Sequence, residues 1–288
     1  YALNKYDRIF CEKFFMGLGV PFVYEYEKGY PASLQASSVV DCLRFAADEL
    51  GVITHTETKV TNIQVSGGNY KIIADNLSFM AKNVIIAAGL YSGGERLGCD
   101  GSMLNILKKS GYKTVKTAPA IVQLKTETDI VKQLKGIKVD AEVSLKYGGK
   151  LIRKESGETL FCDYGLSGPP VMQVSRAVSR DEGNYEILLD IMPQSEFSDL
   201  LQILKIRTEN LKNRNLDEFF TGMLNKRLGQ VIVKMAGCKL NESVTTLDTG
   251  KLKKITSIIK GMRFKVTGTT GFNNSQVTSG GLATWQFD

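Results

Sequence analysis

The sequence predicts a mixed α/β and α+β fold, in which an α/β part is followed by an antiparallel β part that carries helices. Three observations predict it. Val84 to Ala88 form a continuous apolar run, as in a parallel strand that is buried on both faces. Residues 141–147 alternate between apolar and polar side chains and lead into Gly148-Gly149, a pattern typical of a β-hairpin. Residues 194–260 read as amphipathic helices.

The first part, residues 1–117, alternates helices and strands. We expect its helices at 4–18, about 37–50 and about 101–110, and its strands at 22–26, 52–56, 58–65, 69–74 and 83–90. Ser38 and Asp41 have the spacing of a capping box at the start of the second helix. The strand with the apolar run ends at Gly89, and α/β sheets bind ligands at the carboxyl ends of their strands.

The second part, residues 118–272, combines a sheet with helices. We expect its hairpin at 139–161 and further strands at 184–192 and 262–268, with helices at 169–180, 196–212, 216–236 and 249–260. The prolines of GLSGPP fit the first turn of the helix at 169–180.

Composition restricts the class of partner. The net charge of +7 permits an anionic partner, but the lysines are spread along the chain without a basic stripe of interleaved aromatics, so we expect no nucleic acid. No apolar run reaches the roughly 18–20 residues of a membrane span, and the N-terminus lacks the apolar core of a secretory signal. We therefore expect a cytoplasmic protein without membrane contact.

The common catalytic motifs are absent. Five cysteines without a C-x-x-C pair argue against disulfides and a zinc site, and we expect reduced, mostly buried thiols and no metal. His55, the single histidine, lies in GVITHT, which does not suggest a catalytic triad. What remains is a set of backbone-rich segments: AAGLYSGG, GLSGPP, TGTTGF and VTSGG. Such segments are typical of enzymes whose chemistry comes from a cofactor.

The segments also occur in a familiar order. YPASLQASSVVDCL, TKVTNI, NVIIAAG, GCDGS, APAIVQLK, DYGLSGPPVMQVSR, LNKRL and FKVTGTTGFNNSQVTSGG resemble, in that order, the bacterial FAD-dependent flavoproteins of the aminoacetone-oxidase-like group, which includes bile-acid enone reductases. The resemblance covers nearly the whole chain. It implies an incomplete Rossmann-like FAD-binding domain at 1–117, an inserted β-barrel-like substrate domain at 118–272 with its helical part at 194–260, and a return to the FAD-binding domain at 273–288.

The resemblance also implies which residues face the cofactor. Val60 would offer its backbone to the adenine, while the other positions would lie beside the isoalloxazine ring: Ala88, Gly89, Val277, Thr278, Gly280 and Gly281. Asp163 and Tyr164 would face the substrate, although a structural role for that loop remains an alternative. No catalytic residue is assigned.

The resemblance further implies that this sequence is a central fragment. Family members begin with a strand, a glycine-rich pyrophosphate loop and a helix, and they end with a segment that returns to the flavin. We therefore expect the 288 residues alone to bind FAD poorly and to be inactive. The family arginine before the aromatic-proline pair is also missing, since EKGYP leaves only Lys28 near Tyr30-Pro31.

Three functions remain open. The first is an FAD-dependent oxidoreductase that transfers a hydride between a small-molecule substrate and the flavin, with NAD(P)H as the electron donor for reduction of an enone. The second is an oxygen-dependent amine oxidase on the same scaffold. The third is a flavin-free RNA-binding or scaffolding module, suggested by the positive charge. The oligomeric state is not predicted.

Overall fold

The computed structural model describes residues 2–25, 28–180 and 183–287. Its contacts divide the chain into two compact units, Tyr1–Lys59 and Val60–Asp288. Each unit has its own secondary structure.

The described part of the first unit contains helices and a two-stranded antiparallel sheet: α1 (Ala2–Lys5), α2 (Arg8–Gly17), β1 (Phe22–Glu25), β2 (Lys28–Pro31) and α3 (Ala36–Glu49). The single helix predicted at 4–18 is wrong. The backbone of Asp7 is extended, and its carboxylate accepts a hydrogen bond from the Phe10 N–H at 2.8 Å. An N-cap of this kind begins a new helix. The apolar residues whose spacing predicted one helix therefore belong to a region with two helices, α1 and α2.

Two local predictions in this unit also fail. The capping box at Ser38 is wrong, because Gln35 occupies the N-cap position and the Ser38 hydroxyl donates back to the Gln35 carbonyl at 2.7 Å. The strand predicted at 52–56 is absent from the described residues of this region. The strand predicted at 22–26 is present as β1, and Tyr26 lies outside the described residues.

The second unit contains a three-stranded sheet, a barrel, a two-stranded sheet and helices. Its strands are β3 (Val60–Ser66), β4 (Asn69–Ala74), β5 (Leu77–Ala81), β6 (Thr114–Ala120), β7 (Leu124–Thr126), β8 (Lys138–Tyr147), β9 (Lys150–Phe161), β10 (Gly165–Ser167), β11 (Tyr185–Asp190), β12 (Met262–Thr269) and β13 (Val277–Leu282). Its helices are α4 (Ser102–Lys109), α5 (Thr128–Gln133), α6 (Pro169–Arg180), α7 (Phe197–Asn210), α8 (Lys226–Met235) and α9 (Thr249–Lys260).

The strand predicted at 83–90 is wrong. Residues 83–90 form no strand, and Ile85 is 92% exposed. A buried parallel strand needs neighbours on its edges, and no strand in the described residues pairs with this segment. Val84 and Ile86 instead line a groove of about 250 Å³ together with Tyr70 and Leu107.

Six antiparallel strands close into a barrel in the order β10-β7-β12-β11-β8-β9. The predicted hairpin is confirmed, because β8 pairs with β9 and the pairing ends at Tyr147 opposite Lys150. Alternate residues of β8, Ala141, Val143 and Leu145, are buried, as the alternation predicted. Helix α6, predicted at 169–180, packs against β9 and five other strands.

The barrel and the helical part share one apolar core. Leu124 and Phe161 of the barrel belong to the same buried cluster as Leu200 and Ile255 of the helices. The helices predicted at 196–212 and 249–260 are confirmed as α7 and α9. The helix predicted at 216–236 is only partly right: a short 3-10 turn covers Leu216–Glu218, and α8 begins after Asn225, whose side chain accepts a hydrogen bond from the Arg227 N–H at 3.1 Å.

The end of the chain lies outside the barrel. Strand β13 pairs antiparallel with β6, from Val277 opposite Ala120 to Leu282 opposite Thr114. The structure is therefore a mixed α/β fold with a six-stranded barrel. The domain boundaries at 117/118 and 272/273, and a Rossmann-like architecture for 1–117 with 273–288, stay predictions.

The five cysteines are free thiols. The prediction that most are buried is wrong, since Cys238 is buried, Cys11 is exposed and the other three are half-buried. In the described part of the chain, the helices are too short or too polar to cross a membrane.

Gly165 supplies a test of the barrel. An added Cβ would lie 2.2 Å from the Leu124 carbonyl oxygen, and the φ of Gly165 is 153°. We expect Gly165→Ala to lower the free energy of unfolding by about 3 kcal/mol, because it separates β10 from β7. Gly222→Ala is the control: Gly222 also has positive φ, but its added Cβ meets nothing within 4 Å, so we expect a cost of about 1 kcal/mol. Urea denaturation measures both variants, and equal losses in the free energy of unfolding for Gly165→Ala and Gly222→Ala would contradict this explanation.

Candidate functional site

Two of the backbone-rich segments meet in the second unit. The hydroxyl oxygens of Ser92 and Thr278 are 2.8 Å apart, and the Tyr91 N–H donates to the Thr278 hydroxyl at 3.3 Å. These contacts join AAGLYSGG to VTSGG across more than 180 residues of sequence. We call residues 88–94 and 270–281 the two-loop site.

Further contacts fix the same two loops. The Gly93 N–H donates to the Phe272 carbonyl at 3.1 Å, and the Ser275 hydroxyl donates to that of Ser92 at 3.3 Å. The rings of Tyr91 and Phe272 have centroids 5.1 Å apart. Backbone, hydroxyl and aromatic contacts therefore all hold the loops together.

Two glycines serve the packing of the site itself. An added Cβ on Gly94 would lie 2.0 Å from Asn273 Oδ1. Gly280 lies at the irregularity between Ser279 and Gly281 in the pairing of β13 with β6, and its added Cβ would lie 2.2 Å from the Lys116 carbonyl oxygen. A β-bulge of this kind requires glycine whether or not a ligand is present.

Gly89 differs from these glycines. Its φ is 68°, it is exposed, and an added Cβ would meet nothing within 4 Å. Ala88, Val277 and Gly280 are also exposed, whereas Thr278 is half-buried and Gly281 is buried against Leu90. The two-loop site thus presents small side chains and accessible backbone, a surface that a flat ring can approach closely.

A strained residue leads from the site into the barrel. Ile121, at the end of β6, has a φ of 50°, which is unusual for a β-branched residue. Its carbonyl accepts a hydrogen bond from the Gln276 N–H at 3.0 Å. The next N–H, that of Val122, donates to the hydroxyl of the buried Ser175 in α6 at 3.2 Å. These bonds on both sides hold the turn in place, and the sequence analysis found none of them.

Helix α6 reaches the site at its last residue. Arg180 Nε and Nη2 donate to the Ser279 hydroxyl at 3.2 and 3.0 Å. Sequence analysis also missed this contact, since no local pattern links a helix terminus to a strand 99 residues later.

The segment GLSGPP lies elsewhere. A Cβ added to Gly165 or Gly168 would lie 2.2 Å from a backbone carbonyl oxygen of a neighbouring strand, so the barrel itself requires these glycines. The segment opens α6, whereas Arg180 at the far end of α6 contacts the site. Twelve helical residues separate the two ends by about 18 Å.

Asp163 and Tyr164 form the turn between β9 and β10. Asp163 Oδ2 accepts a hydrogen bond from Lys135 Nζ at 2.6 Å, and this bond lowers the pKa of the Asp163 carboxyl. Burial, together with a hydrogen bond to Cys162, raises the pKa of the Tyr164 hydroxyl well above its ordinary range. Thr126 N–H donates to the Tyr164 carbonyl at 3.0 Å, so the turn is fixed to the barrel.

Val60 lies in another element. It is the first residue of β3 and pairs with Ala74, next to an irregularity in the register. None of the hydrogen bonds described above for the two-loop site involves Val60, Asp163 or Tyr164. Their roles toward adenine and substrate stay predictions. Among the described residues, no cluster of three His, Cys, Asp or Glu could hold a metal ion.

The part of the chain that contains the barrel and its helices identifies the protein family. Residues 118–277 match the family described as HI0933-like protein barrel and H2TH domain. The match covers more than half of the chain, so the chain belongs to the HI0933-like family.

Two relatives extend this comparison. The chain is 28% identical over 260 residues to the 3-dehydro-bile acid delta(4,6)-reductase of Clostridium scindens, covering 88% of this chain and 63% of that protein. It is 22% identical over 255 residues to the ribosomal RNA dihydrouridine synthase of Haemophilus influenzae, covering 86% of this chain and 61% of that protein. The chain thus spans less than two thirds of each relative. The family and the reductase support the resemblance to flavoprotein oxidoreductases.

Substitution of Thr278 tests the contact between the two loops. Thr278→Val removes the hydroxyl that contacts Ser92 and Tyr91, and we expect a loss of about 1–2 kcal/mol in the free energy of unfolding, because a part-buried hydrogen-bond partner is lost. Thr278→Ser keeps the hydroxyl and serves as the control. Thermal denaturation measures both, and a valine variant as stable as the serine variant would show that the hydroxyl does not hold the loops.

Proposed function

We propose that the protein is an FAD-dependent reductase that acts on a carbon–carbon double bond conjugated with a carbonyl group. Family membership and the two relatives support this. The first relative's name describes double bonds at positions 4 and 6 beside a 3-keto group, and the second's describes formation of dihydrouridine, in which the 5,6 double bond of uridine is saturated. Both names describe reduction of an alkene that a carbonyl activates.

The single observation that carries the proposal is the two-loop site. It brings AAGLYSGG and VTSGG together and leaves Gly89 open, with a conformation and a space that suit close approach of a ring. Ala88, Gly89, Val277, Thr278, Gly280 and Gly281 would contact the isoalloxazine ring, and Val60 would contact the adenine. A bound flavin would supply the hydride.

The protein's own backbone would then assist the reaction. Backbone N–H groups at the ring would stabilise negative charge that develops on it, since fixed donors need no reorganisation. A substrate-facing role for Asp163 and Tyr164 stays a separate prediction, because their turn precedes α6, whereas the two-loop site contacts the other end of that helix.

The alternatives have less support. No observation on the described residues favours an oxygen-dependent amine oxidase or a flavin-free RNA-binding module. Use of NAD(P)H as the electron donor stays a prediction, and the proposal requires only that the flavin be reduced.

The proposal is tested with the full-length protein. We expect it to purify with the absorption spectrum of an oxidised flavin. After anaerobic chemical reduction, a steroid enone or a uridine-containing RNA should reoxidise the flavin, whereas a primary amine should not reduce the oxidised form. A colourless protein after reconstitution with FAD, or rapid reduction by the amine, would overturn the proposal.

Gly89 separates flavin binding from folding. We expect Gly89→Asn to lower flavin occupancy at least about tenfold, because the new side chain occupies the space proposed for the ring, while asparagine tolerates the positive φ. Gly67→Asn is the matched control, since Gly67 has a φ of 58° and equally open surroundings in the hairpin between β3 and β4. Absorbance per protein and melting temperature measure the two effects. Full occupancy in Gly89→Asn would remove this residue from the site.

A further inference from the structure

We infer that Arg180 holds a positive charge beside the flavin-facing strand and favours the reduced, anionic state of the ring. The inference rests on the proposed function, since it assumes that the two-loop site contacts a flavin. It assigns a role to a side chain that no sequence motif indicated.

The geometry places the guanidinium at the strand. Arg180 is the last residue of α6, and two of its N–H groups converge on the hydroxyl oxygen of Ser279 at 3.2 and 3.0 Å. A guanidinium has five N–H donors in a fixed plane, so three remain for other acceptors. Ser279 directly precedes Gly280 and Gly281, two of the residues proposed to face the ring.

The position of Ser279 is itself well determined. Its backbone pairs with Ala118 in β6, and the neighbouring Thr278 is bonded to the Ser92 loop. The exposed guanidinium is therefore bonded to a residue whose backbone is held by strand pairing. A side chain held in this way can present its charge without first losing much rotamer freedom.

The charge is not matched by a described ion pair. Among residues 2–25, 28–180 and 183–287, no carboxylate lies within 4 Å of the Arg180 guanidinium. Asp181 and Glu182, which follow it, lie outside the described residues. Arg263 and Lys265 on β12, by contrast, each have a carboxylate oxygen within 4 Å.

A purely structural role is the competing explanation. A basic residue in the last turn of a helix stabilises the helix dipole, and the bond to Ser279 would attach α6 to β13. The two roles respond differently to substitution. A tether depends on the hydrogen bonds and on the fork shape, whereas stabilisation of an anion depends mainly on the charge.

The test is a comparison of three variants in the flavin-loaded full-length protein. Arg180→Gln keeps a polar side chain but removes the charge, Arg180→Lys keeps the charge but removes the fork, and Ser279→Ala removes the tether. Equilibrium reduction with a reference dye gives the midpoint potential, FAD titration gives the affinity, and thermal denaturation gives the stability.

We expect Arg180→Gln to weaken the preference for the reduced state about tenfold, which for a two-electron couple is a potential about 30 mV more negative. Arg180→Lys should stay close to wild type, and Ser279→Ala should lie between the two. Bound flavin with the same potential in Arg180→Gln as in wild type overturns the inference and leaves the proposed function intact.

Two other outcomes are also decisive. If all three variants lose stability and flavin to the same extent, the contact is a tether and the inference is wrong. If the wild-type protein binds no flavin, the proposed function fails, and the inference fails with it.

Discussion

The pairing of β13 with β6 is the interaction on which the candidate site depends. This pairing fixes the final strand, and through it Thr278 reaches the Ser92 loop while Ser279 reaches Arg180. At the end of β6 that pairs with these residues, the chain continues through the strained Ile121 into the barrel. The same strand therefore connects the rigid core to the site, and the strain at Ile121 is supported by bonds to Gln276 and to the buried Ser175.

The glycines of the site divide into two groups by what surrounds them. Gly94 and Gly280 are in contact with other parts of the protein, so the fold alone requires them. Gly89 has open space where a Cβ would point, and no contact in the described residues accounts for glycine there beyond its positive φ. Glycine-rich sequence by itself therefore does not identify a ligand site, and Gly89 is a candidate because it lies in the two-loop site, since Gly67 in the β3–β4 hairpin has the same open surroundings.

The sequence predicted correctly those strands and helices that have a regular apolar pattern of their own. The alternation along 141–147 predicted a strand of the barrel, and the helical spacing at 249–260 predicted α9, because burial on one face imposes these periods. The strand at 83–90 failed because a parallel strand is defined by its neighbours, and no described strand supplies them. The bonds of Ser92 to Thr278 and of Arg180 to Ser279 join positions 186 and 99 residues apart, and no local pattern contains such information.

The division between core and site has a consequence for how the protein can work. The barrel and helices α5 to α9 bury one continuous apolar cluster, in which Phe161, Phe219 and Ile255 are fully buried. The two-loop site is held instead by hydroxyl and backbone bonds near the surface, which open at lower cost than a packed core. A ligand that contacts both loops would stabilise them without any change in the barrel. Local order at the two loops should therefore follow ligand binding, and because such a ligand binds only the folded state, the free energy of unfolding should rise with its concentration.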